Sequence, residues 1–142
     1  MTDTQPNLLQ QLGRSGRAMY GAFENQVGQA LPRWRALKAL EELGQVSQKR
    51  LAAQLQMDPG ALTRLLKPLQ AEGLVRRDTD PVDNRHTLVS LDDGGRALLA
   101  AAAPQRQEFF RQALADIEPA QLETTLRVLK QLEERFRRMS GR

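Results

Sequence analysis

The stretch SQKRLAAQLQMDPGALTRLLKPLQAEGLVRR, residues 47–77, holds two short helices, a tight turn and the start of a strand. Ser47 is a good N-cap, and Leu51, Ala52 and Leu55 give the helix after it one apolar face. Gln56, Met57 and Asp58 make the turn. Asp58 caps the next helix and Pro59 takes its first position, where a missing N–H costs nothing. Leu62, Leu65, Leu66 and Leu69 form the buried side of that helix, and Gly73 ends it. Its other side presents Gly60, Thr63, Arg64 and Lys67. An α-helix fits the major groove of B-DNA, and residues near its N-terminus meet base edges. Gly60 and Ala61 are small enough for close approach. Thr63 can hydrogen-bond a base or pack on a thymine methyl, and Arg64 can fork onto guanine.

The chain then changes character. Leu74 to Arg77 reads as a strand, and Thr87 to Leu91 alternates with period two as a second strand. The polar segment between them is long and charged for a simple reversal. Arg76 and Arg77 lie at the base of this hairpin and Arg85 near its tip. A guanidinium on a protruding hairpin suits a narrow, negative minor groove. Asp83, two residues before Arg85, is placed to hold that side chain by an ion pair.

Helices flank this lobe. Leu8, Leu12, Met19, Phe23 and Val27 recur at helical spacing, with Leu9, Tyr20 and Leu31 widening the stripe. Pro32 opens a second helix carrying Trp34, Leu37, Leu40 and Leu43, which Gly44 stops. A long helix is predicted from about Arg96 to Asp116, bent or restarted at Pro104. Glu118-Pro119 opens a last one bearing Leu122, Leu126, Leu129, Leu132 and Phe136. The predicted fold is mainly α with a small β-hairpin wing. Residues 1–31 form an N-terminal dimerisation helix, and 32–95 a DNA-binding lobe with its wing at about 74–91. Residues 96–142 form C-terminal dimerisation helices, all within one structural unit. Leu8, Leu9 and Leu12, with Phe110, Leu114, Ile117, Leu122, Leu126 and Leu129, exceed what one winged-helix core needs. Left exposed, they make an apolar patch that a second copy would cover. The alternative is an intrachain bundle that buries them.

The stretch from Leu62 to Arg77 resembles the recognition helix and first wing strand of MarR-family transcriptional regulators. DPVDNRHTLVSLDDGG, residues 80–95, closely resembles their wing. The order of the flanking helices matches too, so the resemblance spans nearly the whole chain. It implies a two-fold homodimer on a palindromic duplex operator, and repression relieved by a small phenolic or aromatic acid. It also implies Arg85 in the minor groove, oriented by Asp83, and Gly60, Thr63, Arg64 and Lys67 at the major groove. Ser47 and Gln48 would touch phosphate. Asn84 stands where the family often has Arg, so the wing tip carries one charge fewer. Pro68 falls inside the recognition helix and is expected to bend its second half.

The 142 residues bear a net charge of +4, with Lys only at four positions and Arg supplying the other basic groups. Arg forks onto phosphate or a guanine edge, which Lys cannot do. There is no cysteine, which excludes disulfides, thiolate metal sites and Cys nucleophiles. The single histidine, His86, does not make a metal site. No phosphate loop or paired carboxylates point to an enzyme or a bound cofactor. No apolar run approaches a membrane span, and the polar start carries no signal core, so a cytoplasmic protein is expected.

Arg17 and Tyr20 lie one turn apart on the first helix, and Arg33, Trp34 and Arg35 open the second. Brought together they would make an aromatic slot with a cationic rim for a planar carboxylate effector. They read equally as core aromatics and solvated arginines. The rival to a specific, effector-responsive regulator is a winged-helix architectural or protein-interaction module without an effector.

Overall fold

Glycines and prolines divide the helices of the first half. The computed structural model describes residues 4–141, with side chains from Asn7 onward. Helix α1 (Thr4–Val27) stops at Gly28, which takes φ 83° and donates its amide to the Glu24 carbonyl. Only glycine adopts that conformation without strain. The apolar stripe reads as one helix as far as Leu31, but the structure breaks it here, and Leu31 opens α2 (Leu31–Leu43). Pro32 sits in the first turn of α2 and Gly44, at φ 72°, ends it. Ser47 caps α3 (Gln48–Leu55) by accepting from the Arg50 amide, and Asp58 caps α4 (Pro59–Ala71) by accepting from that of Ala61.

Three strands complete this region: β1 (Val46–Ser47), β2 (Val75–Thr79) and β3 (Thr87–Leu91). They form an antiparallel sheet in the order β1-β3-β2, with Val46 opposite Val89 and Val75 opposite Leu91. The two-residue β1 is too short to show a period, which is why the sequence predicts only the hairpin. Leu37, Leu40, Leu51, Leu62, Leu66, Leu69, Val75 and Val89 are fully buried where α2, α3, α4 and the sheet meet. Each such side chain contributes about 1.5–3 kcal/mol of apolar burial. Phe23, Trp34 and Phe109 extend the core edge to face, with ring centroids 5.7 and 5.3 Å apart.

Helix α5 (Asp93–Leu114) starts earlier than the sequence predicts, and Gly94 and Gly95 explain why. A Cβ on Gly94 would run into the Gly73 carbonyl, and one on Gly95 into that of Leu74. The first turn of α5 therefore packs directly on the backbone that joins α4 to β2. Helix α5 runs unbroken through Pro104, and α4 through Pro68. Each proline removes one hydrogen bond. Buried residues on both sides, Leu66 and Leu69 in α4 and Ala102 and Phe109 in α5, hold the two halves on one core.

The chain forms two compact units, the first ending at Phe109 and the second beginning at Phe110. The second unit holds the end of α5 and α6 (Pro119–Met139), none of whose side chains is buried. Phe110, Leu114, Ile117, Leu126 and Leu129 are exposed there, Leu126 by 54%, and Leu122 is half-buried. In the first unit Leu8 and Leu9 are exposed and Leu12 is half-buried.

Candidate nucleic-acid interface

Helix α4 turns its leucines inward and its polar side outward. Arg64 and Lys67 are exposed and have no polar partner among the described residues. Gly60 lies under both the cap and Arg64, since a Cβ there would come within 3.0 Å of Asp58 Oδ2 and 3.4 Å of Arg64 Nη1. Thr63 is half-buried. Its hydroxyl donates to the Pro59 carbonyl at 3.1 Å and accepts from Gln48 Nε2 at 3.3 Å. Ser47 and Gln48 thus lie at the start of the supporting helix, one capping α3 and the other bonded to α4.

The wing tip is organised by two aspartates. Asp80 Oδ1 accepts from the Val82 amide at 2.9 Å and the Asp83 amide at 3.4 Å, which folds the turn. Asp83 then takes Arg85 in a fork, Nε to Oδ1 at 2.9 Å and Nη2 to Oδ2 at 2.8 Å, and accepts the Arg85 amide as well. The ion pair expected from the spacing is present. The Arg85 guanidinium holds the Asp83 carboxyl below the usual carboxylate range, and Asp83 raises Arg85 in return. Arg85 still projects, its side chain 82% exposed. His86 Nε2 lies 3.4 Å from the same carboxylate, and Asn84 is exposed beside it. At the base of the wing, Arg76 is exposed near Asp78. Arg77 is turned inward to Gln48 and Gln70. No cluster of metal-ligating side chains exists among the described residues.

The model described as the MarR family matches residues 30–87 of this chain, the α2-to-wing segment just described. An uncharacterized HTH-type transcriptional regulator, YdgJ of Bacillus subtilis, is 30% identical over 128 residues, covering 90% of this chain and 78% of the relative. The chain belongs to the MarR family. It is a DNA-binding transcriptional regulator and not an enzyme. Two solved structures share the fold. A single-residue mutant of Escherichia coli MarR, in complex with operator DNA, matches at TM-score 0.84 and 22% identity, covering 89% of this chain and 93% of that one. Bordetella bronchiseptica BpsR, whose DNA binding is regulated by 6-hydroxynicotinic acid, matches at TM-score 0.80 and 21% identity, covering 89% and 98%. No helix among the described residues of this MarR-family chain is long and apolar enough to cross a membrane.

The five effector candidates do not converge on one slot. Trp34 is buried against Phe23. Arg33 reaches away to Glu72, at the end of α4, with Nη1 to Oε2 at 2.9 Å and Nη2 to Oε1 at 2.8 Å, leaving its buried Nε without a hydrogen-bond partner. Tyr20 and Arg35 do meet: Arg35 Nη1 donates to the phenol oxygen at 3.2 Å and stacks 5.6 Å from the ring centre. Arg17 is exposed on α1 and folds back over Gly13. Trp34 also borders a cleft of about 150 Å³ with Lys38, Glu41, Leu99, Ala100, Ala103 and Arg106. The Arg106 guanidinium sits 6.0 Å from the indole centre. Sequence reasoning missed Lys38 and Arg106. The run Ala100 to Ala103 was the available signal, because small side chains opposite an indole leave room.

Proposed function

We propose that this MarR-family regulator is a homodimeric repressor of a palindromic operator, with α4 in the major groove and Arg85 in the adjacent minor groove. The observation that carries the proposal is the wing tip, where an exposed guanidinium is aimed by a carboxylate that stays ionised. Arg64 and Lys67, exposed on α4 and without a polar partner among the described residues, support the major-groove contact. The half-exposed leucines of α1 and α6 support dimerisation, because isolated apolar faces of that extent call for a partner surface. Two subunits would place their recognition helices about 34 Å apart, one turn of DNA.

A small aromatic acid is the proposed effector. The cleft beside Trp34 is the size of cavity that holds a benzene-sized ring. Arg106 lines it beside Lys38, whose ammonium bonds Glu41 Oε1 at 2.7 Å and would exchange that carboxylate for the ligand's. The exposed Tyr20–Arg35 pair is a second surface of the same chemistry. A ligand favouring a different spacing of the recognition helices releases DNA by population shift.

Selection of bound fragments from genomic DNA tests the reading. The operator recovered should be palindromic and bound at least ~10³-fold more tightly than random duplex at the same salt. Equal binding to both would instead make the chain an architectural module. Sedimentation should give a dimer, and Leu126→Asp a monomer. Benzoate-type acids should weaken operator binding; indifference to every single-ring acid would remove the effector.

A further inference from the structure

Arg77 differs from the other wing arginines. Arg76 and Arg85 are exposed, whereas Arg77 is half-buried and shares the inward side of β2 with Val75. Its backbone pairs with Val89 of the core. Its Nε donates to Gln70 Oε1 of α4 at 2.7 Å, and Nη1 to Gln48 Oε1 of α3 at 3.3 Å. A guanidinium has no acceptor, so Gln48 must turn its oxygen to Arg77 and its nitrogen to Thr63. Thr63 in turn donates its hydroxyl hydrogen bond to the Pro59 carbonyl. A chain of directed hydrogen bonds therefore runs from the wing strand to the first turn of α4.

We propose that Arg77 is a positioning residue that sets the wing against α4, and that it does not bind phosphate. This rests on the DNA-binding reading above. The lever explains the need. From Arg77 to the tip is at most roughly 17 Å, five residues at the full strand rise of about 3.3 Å each. A tilt of about 10° at the base then moves the tip by roughly 3 Å, the length of the hydrogen bond Arg85 must make. Sheet pairing alone is a weak guard, since β1 reaches only as far as Leu88 and the wing beyond it is a two-stranded ribbon, a form that varies widely in twist. Arg77 and its glutamines tie the base of the ribbon to both helices.

The test uses the full chain and the operator recovered by selection, with affinity measured across a range of salt. Arg77→Lys keeps the charge but loses the planar fork. Gln70→Met removes one acceptor and no charge. Each should weaken operator binding about tenfold without changing the slope of log affinity against log salt. In either background Arg85→Ala should cost clearly less than in the wild type, because the tip is already off its target. Thermal unfolding of Gln70→Met confirms that a folded protein is being compared. Wild-type affinity in Arg77→Lys overturns the proposal, as do losses that simply add in the double variants. So does a salt slope shallower by about 0.9 in Arg77→Gln, the signature of one phosphate no longer neutralised, which would make Arg77 a phosphate ligand. A wild type that fails to distinguish operator from random duplex refutes the DNA-binding reading itself, before any variant is compared.

Discussion

Asp83 holds Arg85 by both carboxylate oxygens and by the Arg85 amide, three bonds between residues two apart in the chain. The side chain is aimed before any partner arrives, so little rotamer freedom remains to be lost on binding. Asp83→Asn removes the charge and the fork. It should reduce operator affinity nearly as much as Arg85→Ala, and the double variant should lose little more. Fluorescence anisotropy with labelled operator measures all three; full additivity would mean that the pair does not act as a unit. Because Asp83 is depressed, the pair persists until well into acid, and operator affinity should not change through it between pH 6 and 8.

Glu72 gives a stability prediction with a definite sign. The hydrogen bond from Arg33 lowers its carboxyl from the ordinary 4.5. A carboxylate depressed in the folded state stabilises above its unfolded value, and that stability is lost as pH falls through the folded value. Wild type should therefore lose stability below about pH 4.5 more steeply than Glu72→Gln. Parallel urea midpoints for the two proteins through the acid range would show the pair to be idle.

Much of this was legible from residue order. The caps Ser47 and Asp58, the stops at Gly44 and Gly73, the leucine face of α4 and the Asp83–Arg85 spacing are local features. Local hydrogen bonds and backbone preferences realise them whatever surrounds them. The rest depended on distant partners. Nothing near Arg33 announces Glu72, far along the chain at the end of α4, and nothing near Trp34 announces the alanines of α5. In sequence Arg77 looks like its neighbour Arg76. Their difference arises from the alternation of a strand whose inner side only the packed sheet defines. Pro68 and Pro104 look disruptive because propensity weighs a residue without the core that holds both flanks.

Gly95 tests the junction of α4, β2 and α5. Gly95→Ala puts a methyl into the Leu74 carbonyl, and neither backbone segment can yield cheaply. The cost should be about 1–3 kcal/mol, read as a lowered melting midpoint. Gly16→Ala is the control, for its Cβ meets nothing within 4 Å. Alanine there should be neutral or stabilising by up to about 1 kcal/mol. Similar midpoints for the two variants would refute the close approach.

Arg64 and Lys67 should separate in a base-substitution series. Arg64→Ala should cost about 1–3 kcal/mol of operator binding and relax preference at one base pair per half-site. Lys67→Ala should weaken binding to every sequence alike and lower the salt slope by about one for each phosphate it leaves unneutralised. Uniform loss from Arg64→Ala would recast that residue as a phosphate contact.

The single tryptophan lies in the core, against Phe23 on one side and the small cleft on the other. Its emission therefore comes from one known place, with no second indole to average over. The molecule carries its own optical gauge: native light should be blue-shifted, should redden as the core opens, and should dim when a ring enters beside it, with no dye attached.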